Sequence, residues 1–392
     1  MSTVTRHRIS SIDLLRGVVM VIMALDHVRD YFHYDAFFFD PTDVDKSNPA
    51  LFFTRFITHF CAPVFVFLAG TSAFFVGQRL DRKSLSKWLI KRGFWLVIAE
   101  VTIIKFAWTF NFSYSYVFFQ VIWALGIGMI CLAGFIHLPR KWVIGLCLLG
   151  VAGHNLLDGY MPESGSLSIL WSFLHVENMF AIDSINYYVA YPIIPWIFVM
   201  PLGYYFGAFY RSDFPPRLRI KRLMQVGAGL TLLFFILRFL NIYGDPYAWE
   251  TSGPATRQLM SFFSLTKYPP SLLYLLATLG PSILFLGFAE KWKGALVDNL
   301  VIVGRVPMFY YIIHIYVIHL LAMVAASLSG YSASDMIINF WVTFEPQLQG
   351  YGFGLWFVYL VWIVLVLALF PVCKVYNTFK SNNRQYWWLT YL

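Results

Sequence analysis

Long apolar runs alternate with short polar segments along the chain, and most runs are long enough to cross a bilayer, which takes about 20 apolar residues. On that measure, spans are predicted near 12–32, 51–77, 93–111, 117–138, 142–158, 187–209, 223–243, 270–289, 300–328 and 353–372. The expected architecture is all-α: a polytopic transmembrane bundle of about ten helices around a central polar cavity, with 1–392 forming one domain.

The polar residues that interrupt these runs carry the functional signal, because an ionisable group in hydrocarbon is costly and marks a pathway. The first run reads Ser11-Ile-Asp-Leu-Leu-Arg16 and continues without a break to Leu25-Asp26-His27-Val-Arg29-Asp30. Eleven residues advance a helix by roughly 16 Å and return the side chain to nearly the same face. Arg16 near one surface and His27 near the other would suit a long substrate with an anionic head, and acyl-coenzyme A has that form. His27 and Asp30 are i,i+3 neighbours, so Asp30, or Asp26, is expected to orient the ring and leave its second nitrogen as a base. The alternative is that Asp26, Arg29 and Asp30 form an ion network that only fixes packing.

Two later runs repeat the theme. Thr58-His59 precedes Pro63, which should kink its helix and open a cavity. His59 is placed at about the depth of His27, as acceptor-positioning group, second proton carrier or packing residue. Gly70-Thr-Ser should permit close helix approach. The ninth run carries Gly304-Arg305 near its cytosolic end, with His314 about 14 Å further in. Arg305 could bind phosphate, and His314 is equally a candidate for packing or chemistry. Glu100 and Lys105 in the third run, and Arg238 in the seventh, each need a partner from elsewhere.

Composition agrees with the pattern. The chain is 59% hydrophobic, 20% aromatic and 12% charged, against about 25% charged in a soluble domain. The net charge of +9 does not indicate nucleic acid, because the basic residues fall in short loops between spans, as the positive-inside rule requires. Arg6, Arg8, Arg79, Arg82, Lys83, Lys87, Lys91, Arg92, Arg140, Lys141, the 211–222 cluster, Lys291, Lys293, Lys374, Lys380 and Arg384 lie on one side. Lys46, Arg257 and Lys267 lie on the other, which is otherwise acidic. Both termini are therefore expected in the cytoplasm, with the first helix an uncleaved anchor. Cys61, Cys131, Cys147 and Cys373 show no metal-ligand spacing and no pairing in outer loops, so no metal is expected.

The residues quoted above resemble the transmembrane acyltransferase superfamily. The Arg16-to-His27 spacing is similar to the Arg/Lys-x10-His signature of its acyltransferase-three branch, and Gly304-Arg305 with Tyr311 and His314 resembles a later stretch of the same branch. Closer is the branch named after heparan-alpha-glucosaminide N-acetyltransferase, in its bacterial form. It is resembled by Ile9-Ser-Ser-Ile-Asp13-Leu-Leu-Arg16-Gly17, Leu25-Asp26-His27-Val-Arg29-Asp30, Pro63-Val-Phe-Val-Phe-Leu-Ala-Gly70, Tyr191-Pro-Ile-Ile-Pro195-Trp, Lys267-Tyr-Pro-Pro-Ser-Leu-Leu-Tyr274 and Trp387-Trp388-Leu-Thr-Tyr391-Leu.

The resemblance implies a membrane-bound, acyl-CoA-dependent acetyltransferase in a bacterial inner membrane. Cytosolic acetyl-CoA would be the donor, and a glycan or amino sugar at the outer, periplasmic face the acceptor. Arg16, Arg305, Arg79, Arg82 and His314 are the expected coenzyme-binding residues, and His27, Asp26, Asp30, His59 and His33 the expected catalytic set. The lysosomal branch has asparagine at the place of His27 and a histidine nearer the first outer loop, where His33 lies, so the base is His27 or His33. Direct transfer and an acyl-histidine intermediate both stay open, as does the oligomeric state, a homodimer included. The rival readings are a proton-coupled secondary transporter, with Asp26, His27 and Asp30 as relay, and a non-catalytic scaffold.

Overall fold

In the computed structural model, residues 10–163 and 165–392 are described; Arg6, Arg8 and Ile9 lie outside them. The helices are α1 (Ser10–Phe32), α2 (Pro49–Thr58), α3 (Cys61–Gly77), α4 (Arg82–Ala99), α5 (Lys105–Thr109), α6 (Val121–Phe135), α7 (Arg140–Gly153), α8 (Ser166–Leu174), α9 (Trp196–Phe206), α10 (Pro216–Leu240), α11 (Ala255–Phe263), α12 (Leu272–Ala289), α13 (Ala295–Arg305), α14 (Pro307–Leu328) and α15 (Leu355–Asn382). Among the described residues, five segments are long and apolar enough to cross a membrane: Pro49–Gly77, Pro216–Leu240, Leu272–Ala289, Pro307–Leu328 and Leu355–Asn382. The chain is an all-α membrane protein, and each of the expected spans contains a helix.

α1 is the axis of the bundle. It packs against α2, α3, α12, α13, α14 and α15, and 18 of its 23 residues are buried. α15 is the opposite case, with four buried positions in 28 residues. An apolar helix that leaves most of its surface uncovered faces lipid, whereas one carrying Asp, Arg and His must turn them towards protein. Close approach sets the α1–α13 crossing: a Cβ on Gly17 would lie 1.9 Å from the Leu300 carbonyl oxygen, and one on Gly304 1.8 Å from that of Asp13. Gly70 and Gly203 do the same for α3 against α9, each Cβ falling 2.0 Å from a backbone oxygen of the facing helix. The packing role expected of Gly70-Thr-Ser is therefore present, and Thr71 adds a hydrogen bond to Gly203 O of 2.9 Å.

Prolines break two of the expected spans. Pro63 has no N–H to give the carbonyl four residues back. The 51–77 run divides at His59–Phe60 into α2 and α3, and the freed His59 carbonyl accepts instead from Tyr274 Oη at 2.8 Å. Pro307 divides the 300–328 run at Val306, whose φ of −126° is outside the helical range, as expected of a residue before proline. The expected continuous helix from Arg305 to His314 is thus corrected: the two residues sit on different helices.

Two other runs begin as strands. Tyr116–Phe119 (β1), Asn178–Ile182 (β2) and Ile185–Val189 (β3) form a small sheet in the order β1-β3-β2, with β1 parallel and β2 antiparallel to β3. Tyr, Val and Phe favour a pleated half-buried surface, and Asp183, at φ 53°, turns the β2–β3 hairpin. The sheet caps the end of the bundle that also carries the 33–48 and 329–354 segments, called the sheet end below.

Glu100, Lys105 and Arg238 hold backbone. Glu100, in a π-helical turn (Glu100–Ile104) between α4 and α5, accepts from Trp123 N at 2.8 Å and so caps the start of α6. Lys105 donates to the Asn111 carbonyl at 2.6 Å and to that of Ser113. Arg238 spreads its guanidinium over the carbonyls of Phe262, Tyr247, Ser261 and Ser264 at 2.8–3.0 Å. A fork of five donors suits this task, and these residues are fold clamps.

Candidate active site

The sheet-end half of α1 faces a cavity of about 570 Å³. Its floor is Met23, Cys61, Ala62 and Phe65. Its walls include Asp26, His27, Arg29, Asp30, Arg55, Trp108, Gln120 and Tyr311, and its rim carries Asp40, Glu177, Tyr188, Lys267 and Tyr268. Cys61 and Ala62 reach the floor because α3 starts afresh after the break at His59–Phe60, so the break imposed by Pro63 helps shape the cavity.

His27 is held by His314, not by Asp30. His27 Nδ1 lies 2.8 Å from His314 Nε2, and His314 Nδ1 lies 2.7 Å from the Tyr310 carbonyl. A carbonyl can only accept, so His314 Nδ1 carries a proton. With His314 neutral, its Nε2 is an acceptor, and His27 Nδ1 must be the donor. This chain of bonds fixes His27 in the tautomer whose Nε2 bears the lone pair. The rings stack at 5.0 Å between centroids, and Trp108 meets His27 edge-on at 4.7 Å.

Asp26 and Asp30 are engaged elsewhere. Asp30 accepts from Arg29 at 2.5 Å. Asp26 lies 3.0 Å from the same guanidinium and accepts from Arg55. The expected hydrogen bond from His27 to an α1 carboxylate is replaced by this buried network, because i,i+1 and i,i+3 arginines compete for the acids and win on charge. Arg55 was not foreseen at the site, although an arginine in an apolar helix carries the same signal as Arg16. The network is incomplete: Arg29 Nε and Nη1, Arg55 Nε and the neighbouring Trp108 Nε1 are buried donors without acceptors.

His59 does not line the cavity. Its ring packs at 5.3 Å against Tyr274 and 5.7 Å against Phe56, so similar depth does not bring it to His27. His33 serves as an N-cap, accepting from Asp35 N at 3.2 Å and stacking on Tyr34. Burial, and then the charge of Arg29, push its ring pKa down to about 4.

Arg16 and Arg305 meet at the opposite end of α1, although they come from different helices. Arg16 bonds Asp13 at 3.2 Å, Gly304 O at 3.0 Å and Ser72 Oγ at 2.9 Å, while Arg305 lies 3.5 Å from Asp13. Arg79 and Arg82 are exposed where α3 turns into α4, about 10 Å beyond Ser72 at helical rise. The cavity stops short of this cluster. Between the two on α1, Val19 and Met20 are buried, 2% and 1% exposed.

On the rim, burial pushes the Glu177 carboxyl up to about 6, with Asp40 adding to the rise, while a hydrogen bond from Tyr188 and the charge of Lys267 oppose it. The Lys267 ammonium stands 5.0 Å over the Tyr268 ring.

Fold and site together define an integral membrane protein that gathers an imidazole pair, two arginines and several carboxylates around one cavity. The family described as heparan-alpha-glucosaminide N-acetyltransferase, catalytic, matches residues 8–243. That is more than half of the chain, and the protein belongs to this family. Membership gives it an N-acetyltransferase-type function in a membrane. The matched segment contains Arg16, His27, Arg55 and Glu177, whereas Arg305 and His314 lie beyond it. No curated protein matches the chain.

Proposed function

We propose that the protein transfers an acetyl group from acetyl-CoA, bound at the Arg16–Arg305 end, to an amine or hydroxyl of a glycan acceptor that enters the cavity from the sheet end. The observation that carries this reading is the His27–His314–Tyr310 chain, which leaves one imidazole lone pair on a cavity wall beside unpaired guanidinium donors.

His27 Nε2 takes the proton of the acceptor as the acceptor nitrogen or oxygen attacks the thioester carbonyl. His314 accepts the Nδ1–H bond throughout and spreads the growing positive charge. The carbonyl oxygen becomes an oxyanion, and the guanidinium groups of Arg29 and Arg55, which line the same cavity, supply positive charge to meet it. Collapse breaks the C–S bond, and His27 returns its proton to the departing thiolate. Arg16, Arg305, Arg79 and Arg82 hold the phosphates. The arm of the coenzyme would have to part the Val19–Met20 layer to reach the cavity, so donor binding is expected to move α1 relative to α3. Basic loops at the coenzyme end support a cytoplasmic side for that end and for both termini.

The test uses purified protein in lipid nanodiscs. Calorimetry should show coenzyme A binding that weakens as salt rises, because the phosphate contacts are charge-assisted. Labelled acetyl groups should then pass to an amino-sugar or glycan extract. Absence of coenzyme A binding at low salt would remove the proposal. Substrate flux without acetyl transfer would favour a transporter.

A further inference from the structure

We propose that His154, Asp158 and His175 form a zinc site, separate from the cavity and with no role in transfer. His154 opens the 3-10 turn (His154–Leu157) after α7, Asp158 closes it, and His175 caps the end of α8. One ligand atom from each lies within 4.8 Å of the others. Tetrahedral zinc, with bonds of about 2.0–2.2 Å, keeps its ligand atoms roughly 3.4 Å apart. The pair His175 Nε2 and Asp158 Oδ1 already stands at 3.1 Å, and a swing of the His154 ring closes the third corner. Two imidazoles and one carboxylate leave a fourth position for water.

Orphaned atoms point to a ligand. His154 is 3% exposed and His175 1%, yet neither ring nitrogen of His154 has a partner, nor has His175 Nδ1. A buried imidazole without partners is costly, and a cation that takes a lone pair from each ring removes part of that cost. The outer shell is also in place. Asn155 donates to Asp158 Oδ2 at 2.7 Å, which turns Oδ1 towards the histidines, and Asn155 Oδ1 is itself fixed by Leu272 N at 2.9 Å. Support of this kind is typical of metal ligands. Trp171 closes the site, its ring 5.6 Å from that of His175 and its indole N–H bonded to the Tyr160 carbonyl at 2.7 Å. A zinc ion here would tie the end of α7 to the end of α8 and to the start of α12. His175 is followed two residues later by Glu177, so the clip would also steady one wall of the cavity.

The test is elemental analysis of protein purified without a polyhistidine tag, followed by stripping with a chelator and titration with zinc. One zinc per chain is expected, together with a melting temperature that rises with the logarithm of free zinc. Asp158→Asn, His154→Gln and His175→Gln should each lose the stoichiometric zinc and the zinc-dependent rise, while melting close to the stripped wild type in chelator. Asn155→Ala should keep the site with affinity lowered about 10- to 100-fold. Wild-type protein with neither bound zinc nor a zinc-dependent shift would overturn the proposal, whatever the variants do. So would an iron-only site, or variants that bind zinc like the wild type.

Discussion

Two histidine pairs lie among the described residues, and they are built on opposite plans. His27 and His314 are joined directly and end on a backbone carbonyl, so each proton in the chain has an assigned place. His154 and His175 approach edge to face at 5.7 Å, with three of their four ring nitrogens unpartnered and the fourth on Asp158. The first arrangement fixes a tautomer and presents one lone pair to a cavity. The second can turn one nitrogen of each ring, with a carboxylate oxygen of Asp158, towards a point between side chains. One suits a base held ready by hydrogen bonds; the other has the makings of a cation cage. Burial and residue type are nearly the same in both, and the difference lies wholly in what the rings' nitrogens meet.

Removing the base should have the largest effect. His27→Ala is expected to keep the fold and coenzyme A binding while acetyl transfer falls roughly 10²- to 10⁴-fold. His33→Ala should lose much less, since His33 caps a turn. Assays of matched purified variants in which His33→Ala is dead and His27→Ala active would reverse the assignment.

Next in size is the support of the base. His314→Ala frees His27 to rotate and change tautomer, and misplacement of this order costs about 10²-fold in kcat. KM for the acceptor should stay nearly constant, and steady-state kinetics separate the two. A loss confined to KM would make His314 a binding residue, closer to its expected role in holding the coenzyme.

The far end of α1 should respond in binding and not in chemistry. Arg16→Ala is expected to weaken coenzyme A by about 1.5–3 kcal/mol, the range for a charged hydrogen bond. Calorimetry of a folded variant with unchanged affinity would leave Arg16 as a strut between Asp13, Ser72 and Gly304.

The smallest expected effect is at the rim. With Glu177 raised to about 6, its carboxylate is charged above that pH and neutral below it. KM for a cationic amino-sugar acceptor should therefore rise as pH falls through about 6, and Glu177→Gln should flatten that part of the profile. A neutral acceptor serves as control, because protonation of His27 would affect both acceptors alike.

Much of the fold was legible because its signals are local. Apolar run length marks a membrane helix wherever it occurs, and Pro63 marks a bend through its missing N–H, whereas the break before Pro307 was not read from the apolar run that spans it. The Arg16–His27 face follows from the helical repeat alone. The strands at 116–119 and 185–189 were hidden because each runs directly into an apolar helix, so composition does not change at the boundary. Glu100, Lys105 and Arg238 showed that a partner was needed but not that the partner would be backbone.

The sequence by itself determined an all-helical membrane bundle, a cation and an imidazole on one face of its axial helix, and the resemblance that family membership bears out. Tertiary structure alone decided that Asp26 and Asp30 serve Arg55 and Arg29, that His27 leans on a residue 287 positions away, and that His59 stays out of the cavity. It also decided that His154 and His175, 21 residues apart, come together beside Asp158, with one ligand atom from each within 4.8 Å of the others. Hydrophobic periodicity records which face of a helix is covered. It does not record what covers it, and the hydrogen-bond partner that makes a histidine a base or a ligand arrives only when distant helices pack.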